Sequence, residues 1–300
     1  MAKRTIIVGD VHGMLPELKA LIEKVGLTKD DHLVFCGDLV DKGPDSAGVV
    51  RHVRELREEG FRVTVVKGNH EDKHERFRRA FAKAGDKVQM RGLAELKAIT
   101  EALDADDVAF LDEAVLFLRL PEHNALVVHA GVLPSTKLPK DLYKLDKHQR
   151  SSLERIMRVR HVTGVAKATV TVELNIVGMT ESEIKRALIS DLAAEANEDA
   201  KLVKMKVQPK GSFIGLGNEG PGDTFWPDAY DGRFGHVFFG HSPFPDAKAP
   251  MQFPEATGLD LGAVFGGRLA AAVLVEDEDT TFVSVKAGGK FAKTFFEDGD

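Results

Sequence analysis

Cysteine is almost missing from this chain: one residue in 300, Cys36, set inside the apolar run Leu33-Val34-Phe35-Cys36. No intramolecular disulfide can form, and a thiol in that setting reads as a small core residue rather than a reactive group. Long hydrophobic runs are missing too. None approaches the roughly 20 residues of a membrane-spanning helix, so no membrane association is expected. Positive charge is not in excess: the formal net charge is −6 at pH 7, which excludes a protein that coats extended nucleic acid. A nucleotide or a nucleic-acid end stays open as substrate, because bound metal ions can supply local positive charge. There is no clean internal repeat and no low-complexity tract. Residues 1–5 lead directly into an apolar strand without room for a signal peptide, and a soluble, cytoplasmic protein is expected.

A hydrophobic content of 43% over 300 residues is ample for a buried core, and one domain spanning 1–300 is expected. Ile6-Ile7-Val8 reads as a strand and is followed by Leu15, Leu18, Leu21, Ile22 and Val25 at helical spacing. Leu33-Val34-Phe35-Cys36 is a second strand. Asp45-Ser46 opens a helix with Val49, Val50, Val53 and Leu56 on its buried face, and 61–66 is a third strand. The order βαβαβ with apolar strands predicts a sheet covered by helices. Segments 72–83 and 93–103 read as helices whose charges form a solvated face. Strands follow at 125–128 and 236–239, then a hairpin from 258–262 and 268–275, and a strand near 281–285. Residues 169–176 and 202–207 alternate at the strand period around a helix start at Thr180-Glu181. This βαβ-like piece, about 160–210, reads as an insertion that serves as a lid or partner surface. The acidic end, 295–300, reads as frayed.

Five strands end in residue types that bind metals. Gly9-Asp10-Val11-His12-Gly13 ends the first, Gly37-Asp38-Leu39-Val40-Asp41-Lys42-Gly43-Pro44 the second and Lys67-Gly68-Asn69-His70-Glu71 the third. His129-Ala130-Gly131 and Gly240-His241-Ser242-Pro243 end the other two. Each alone reads as a turn, a helix cap or a core histidine. Together they point to one site, because loops at the carboxyl ends of strands in an α/β sheet converge on a crevice. Carboxylates, imidazoles and one amide suit borderline divalent ions such as Mn, Fe, Zn, Ni or Co. There are enough ligands for two, and such a pair clamps the attacking and leaving oxygens of a phosphoryl displacement.

In combination these five motifs resemble the calcineurin-like metallophosphoesterases, in the phosphoprotein-phosphatase branch, over roughly 5–145 and 225–275. Within it, the stretches 231–243 and 259–269 are similar to bacterial and phage Ser/Thr phosphatases, diadenosine-tetraphosphate hydrolases and the phosphatase module of polynucleotide kinase-phosphatases. The resemblance implies an α/β sandwich of two central mixed sheets flanked by helices. It implies two divalent ions, manganese foremost, with Asp10 and His12 on the first, Asp38 bridging, and Asn69, His129 and His241 on the second. It makes His70 the general acid, oriented by Asp41, and a metal-bridging hydroxide the direct nucleophile, with no covalent intermediate. Asn69 and Lys42 would also hold substrate phosphate, with Arg233 or Arg160 as a further cation, and Asp260 would lie behind a ligand histidine. The family usually carries arginine where Lys42 and Lys67 stand; lysine keeps the charge but loses the planar fork, which implies weaker phosphate orientation. The implied activity is a phosphatase acting on phosphomonoesters in the Ser/Thr-phosphatase manner. The alternatives are a dinucleoside-polyphosphate hydrolase, a phosphatase of 2′ or 3′ nucleic-acid ends, and a non-catalytic metal-binding protein.

Overall fold

The computed structural model describes residues 3–139, 147–163, 212–214, 220 and 223–293, with the backbone alone at 147–149, 152 and 212–214. β1 (Arg4–Val8), α1 (Leu15–Val25), β2 (His32–Phe35), α2 (Ser46–Glu58) and β3 (Arg62–Val65) follow in the expected order, and the three strands run parallel. α1 stops at Gly26, whose φ of 59° suits a left-handed cap. α2 begins where the Asp45 carboxylate accepts the Gly48 N–H at 2.8 Å.

α3 (Asn69–Ala84), α4 (Leu93–Ala102) and α5 (Ala105–Asp112) come next. α3 starts three residues earlier than the charge pattern indicated, so Asn69 and His70 lie in its first turn. Nor do all charges of this region face solvent: the Asp107 carboxylate is buried and takes bonds from Arg51 and Arg54. β4 (Phe117–Leu120), unforeseen in the sequence, pairs antiparallel with β5 (Ala125–Val128). α6 (Lys147–Glu154) and β6 (His161–Thr163) follow. β6 pairs antiparallel with both β7 (Ser212–Ile214) and β8 (Thr224–Phe225). The expected insertion falls almost wholly at 164–211, outside the described residues, as does the chain end at 295–300.

β9 (His236–Phe239), β10 (Met251–Phe253), β11 (Ala256–Gly258), β12 (Asp260–Leu261), β13 (Arg268–Val275) and β14 (Thr281–Lys286) complete the fold. One mixed sheet has the order β12-β13-β1-β2-β3, with β14 also on β13; the other has the order β10-β11-β9-β5-β4. Side-chain alternation divides the core. Ile6, Val8, Leu33 and Phe35 face α1 and α2, meeting Leu18, Leu21, Val49 and Val53. Ile7, Val34 and Ala272 point the other way, onto Val127 and Phe238 of the second sheet. The outer face of that sheet, Leu126, Val128, Val237 and Phe239, is covered by Ile156, Val162 and Trp226. The result is the expected α/β sandwich of two mixed sheets. Among the described residues, no helix is long and apolar enough to cross a membrane.

One ion pair staples β1 to the start of β2, at the end of the first sheet away from the strand-end motifs. Arg4 donates to both oxygens of buried Asp31, at 2.9 and 2.6 Å, and Thr28 donates its N–H and hydroxyl to the same carboxylate. Burial alone would raise the Asp31 carboxyl, but the bonds from Arg4 and Thr28 outweigh it and hold the group below its ordinary range. Its contribution is therefore present above the unfolded value near ~3.9 and is lost as pH falls through the folded one. Asp31→Asn is expected to cost about 1–2 kcal/mol at pH 7. The deficit against the unmodified protein should shrink below about pH 4, as read by urea unfolding at the two pH values.

Candidate active site

All five motifs sit at the same end of the two sheets, and local backbone chemistry binds them together. The loop after β1 is zipped to the loop after β2: the N–H groups of Val11 and His12 both donate to the Asp38 carbonyl, and that of Gly13 to Leu39. The loop after β9 is tied to the end of β5 by the Gly240 N–H on the His129 carbonyl at 2.8 Å. Asp10 joins one sheet to the other, its two oxygens accepting the His241 N–H at 3.1 and 2.9 Å. The chain bends sharply to do this. Seven non-glycine residues have positive φ among those described, and five of them are His12, Asp38, Asp41, Lys42 and His241. Such conformations cost about 1 kcal/mol or more each and persist where the surroundings impose them.

Close approach is bought with glycine. A Cβ on Gly240 would stand 1.9 Å from Oδ1 of Asp10, and one on Gly68 would stand 2.1 Å from Oδ1 of Asp38. Gly240→Ala is expected to displace the Asp10 carboxylate and lower kcat/KM by about tenfold or more. Retained activity in steady-state assays would show that Asp10 tolerates the shift.

The ligand-type side chains converge, with Asp10 at the margin, outside both of the tightest groups. Nε2 of His12 lies 3.6 Å from Oδ2 of Asp38 and 4.0 Å from Oδ2 of Asp10. Nε2 of His129 lies 3.3 Å from Oδ2 of Asp38 and 3.0 Å from Oδ1 of Asn69. The rings of His129 and His241 stand 5.0 Å apart, centre to centre. Two groups of three can each hold an ion, His12-Asp38-His70 and Asp38-His129-His241, with Asp38 common to both.

Hydrogen bonds behind these rings settle which nitrogen faces the site. Nδ1 of His12 meets the Val40 carbonyl at 2.9 Å, and Nδ1 of His129 meets the Cys36 carbonyl at 2.8 Å. A carbonyl only accepts, so each Nδ1 carries a proton in its bond, and Nε2 of His12, with Lys42 Nζ 2.9 Å away, presents its lone pair to the cluster. Burial holds His12 well below its ordinary range, with Lys42 adding to the effect, and burial and Arg160 do the same to His241. His129 differs: burial lowers it, but the Asp38 charge and hydrogen bond outweigh that and raise it. His12 and His241, held neutral beside a carboxylate, suit a divalent ion. Burial works against the Asp38 charge, yet His129 and His70 outweigh it and keep the carboxyl well below its usual range. Asp10 goes the other way, pushed up by burial and by the charges of Asp260 and Asp38.

His70 and Asp41 meet as expected, Nδ1 to Oδ2 at 2.6 Å, which leaves Nε2 of His70 facing the cluster, 3.9 Å from Oδ2 of Asp38. Lys42 reaches the site as well: its Nζ is 2.9 Å from Nε2 of His12. Lys67 is held at 2.7 Å by Glu75. Asp260 is buried and bonds the Gly262 N–H rather than a histidine; it lies near Asp10, and burial raises its own carboxyl too. Arg160 donates to the His241 carbonyl at 2.6 Å. Arg233 donates to the Leu133 carbonyl and stands by Asp231, and the structure does not bring it to the ligand set through either contact.

Two residues went unread in the sequence. Glu71 is buried and accepts three backbone N–H groups, from Asp38, Leu39 and Gly68, at 2.7–2.8 Å. His74 bonds the second oxygen of Asp41. Both had a signal in their spacing: Glu71 is the third helical residue after Gly68, and His74 is four residues past His70.

Residues 3–245 match the family model for calcineurin-like phosphoesterases. The chain belongs to that family. Among curated members, this phosphoesterase is 26% identical to the asymmetrical bis(5'-nucleosyl)-tetraphosphatase PrpE of Bacillus velezensis, over 97% of this chain and 96% of that protein. Over a shorter stretch, 46% of this chain and 47% of the other, it is 39% identical to the symmetrical bis(5'-nucleosyl)-tetraphosphatase of Pectobacterium atrosepticum. A solved structure of a candidate diadenosine tetraphosphatase superposes with a TM-score of 0.59 at 25% identity, covering 95% of each chain.

Proposed function

We propose that this phosphoesterase hydrolyses dinucleoside polyphosphates, cleaving diadenosine tetraphosphate asymmetrically to ATP and AMP. The observation that carries the reading is the asymmetrical tetraphosphatase aligned along nearly the whole chain; the symmetrical relative aligns over under half of it. The Ser/Thr-phosphatase reading expected from the motifs has less behind it, since these relatives carry the names of nucleotide enzymes.

The residues divide the work. Asp10, His12, Asp38, Asn69, His129 and His241 would hold two divalent ions, with manganese proposed. Such ions neutralise phosphate charge and lower the pKa of bound water. Lys42 adds a cation beside His12 for the phosphate chain. His70 has Nε2 free to protonate or hydrogen-bond the leaving oxygen, while Asp41 keeps the proton on Nδ1. The test is product analysis on manganese-loaded enzyme with diadenosine tetraphosphate and, in parallel, a phosphopeptide. ATP and AMP in equal amounts are expected. Two molecules of ADP would overturn the asymmetry, and turnover of the phosphopeptide alone would overturn the nucleotide reading.

A further inference from the structure

Asp41 has more partners than a carboxylate that only orients His70 requires. Its Oδ2 lies 2.6 Å from Nδ1 of His70 and its Oδ1 lies 2.6 Å from Nε2 of His74. The two histidines are one turn apart on α3, so their rings leave the helix on the same face. The Asp41 backbone is pinned as well, its N–H on Oγ of Ser46 at 3.0 Å, and Nζ of Lys73 stands 3.5 Å from Oδ2.

His74 itself is fully buried, and its Nδ1 has no hydrogen-bond partner among the described residues. An apolar side chain would fill that volume without leaving a polar atom idle. What an apolar side chain would not do is grip the second carboxylate oxygen. Held through Oδ2 alone, the carboxylate can turn about its own bond and carry the Nδ1–H of His70 with it. Held at both oxygens by two rings of one helix, it cannot turn without breaking a hydrogen bond.

We infer that His74 is a positioning residue for the hydrolysis: it fixes Asp41, and Asp41 thereby fixes the His70 ring with Nε2 toward the leaving oxygen. This rests on His70 acting as the acid. In the step concerned, a water-derived hydroxide forms a new P–O bond as the P–O bond to the leaving group breaks, and the departing oxygen takes the proton from Nε2 of His70. The ring becomes neutral and keeps its Nδ1–H on Asp41. His74 keeps its own proton throughout.

Three variants separate positioning from packing: His74→Leu, His74→Gln, which restores an N–H donor, and His70→Asn. Each is examined by thermal unfolding, by 15N-histidine NMR of the imidazole N–H resonances, and by manganese-dependent rates on phenyl phosphate and p-nitrophenyl phosphate. Phenol is the poorer leaving group and needs the proton more. The expected result is that His74→Leu lowers kcat for phenyl phosphate about tenfold or more while p-nitrophenyl phosphate changes by less. KM should stay in place, the His70 Nδ1–H resonance should move, and His74→Gln should recover part of the rate. Equal losses on both esters with an unmoved His70 resonance would overturn the proposal and leave His74 a packing residue. If His70→Asn shows no preference between the esters, the acid reading itself fails. If it shows the preference and His74→Leu does not, only the positioning role fails.

Discussion

Asp38→Asn is expected to abolish hydrolysis for practical purposes, lowering kcat/KM by well over about a hundredfold. Losing an outer partner of a ligand costs about 10–100-fold, and Asp38 is not an outer partner. Its carboxylate belongs to both groups of metal-binding type, within 3.6 Å of His12 and 3.3 Å of His129. It also accepts the His70 backbone N–H at 3.0 Å, which fixes the start of α3. Asparagine keeps the shape and one acceptor but removes the charge, and with it the strongest reason for a cation to stay. Metal content by elemental analysis should fall alongside the rate. A variant with unchanged metal content and rate would remove Asp38 from the centre of the site.

Glu71→Ala is expected to be the most destabilising single truncation near the site, by about 3–5 kcal/mol. The Glu71 carboxylate satisfies three buried N–H groups that belong to two different loops. Alanine leaves all three without a partner, and each unmade bond costs about 1–3 kcal/mol, though the sum is not additive. The Asp38 loop should loosen first, so activity should be lost at temperatures where far-UV circular dichroism is still native. A melting temperature within a degree of the unmodified protein would show that water replaces the carboxylate at no loss.

The convergence of five strand ends with metal-binding residue types was legible because apolar runs of strand length stop abruptly at Gly-Asp, Gly-Asn-His, His-Ala-Gly and Gly-His. Burial and chemistry there change within one or two residues. The βαβαβ unit was legible for the same reason. β4 and β10 were not: Phe117–Leu120 carries Arg119 and lies at a sheet edge, and Met251–Phe253 is three residues long, also at an edge. Edge strands have one neighbour, so their patterns are less constrained. Glu71 and His74 were hidden by composition. Their spacing after Gly68 and His70 was a signal. In a helix rich in charges, though, it does not by itself say which polar side chain turns inward, because that depends on where the loops of Asp38 and Asp41 lie. The destination of Arg233 was hidden likewise, since its bond goes to Leu133, 100 residues earlier.

The site does not belong to either sheet alone. Asp10, Asp38 and Asn69 extend from β1, β2 and β3, whereas His129 and His241 extend from β5 and β9. Between the sheets lie apolar side chains, which resist separation but oppose sliding less firmly. Ions held at that end would act as rivets through both plates, and by mass action their binding to the folded chain alone would add stability, about 2.7 kcal/mol at a hundredfold excess over Kd. With ions bound, the sandwich would therefore behave as one mechanical unit: shear between the sheets would pull the ion-holding side chains apart, and a chelator would free the sheets to slip.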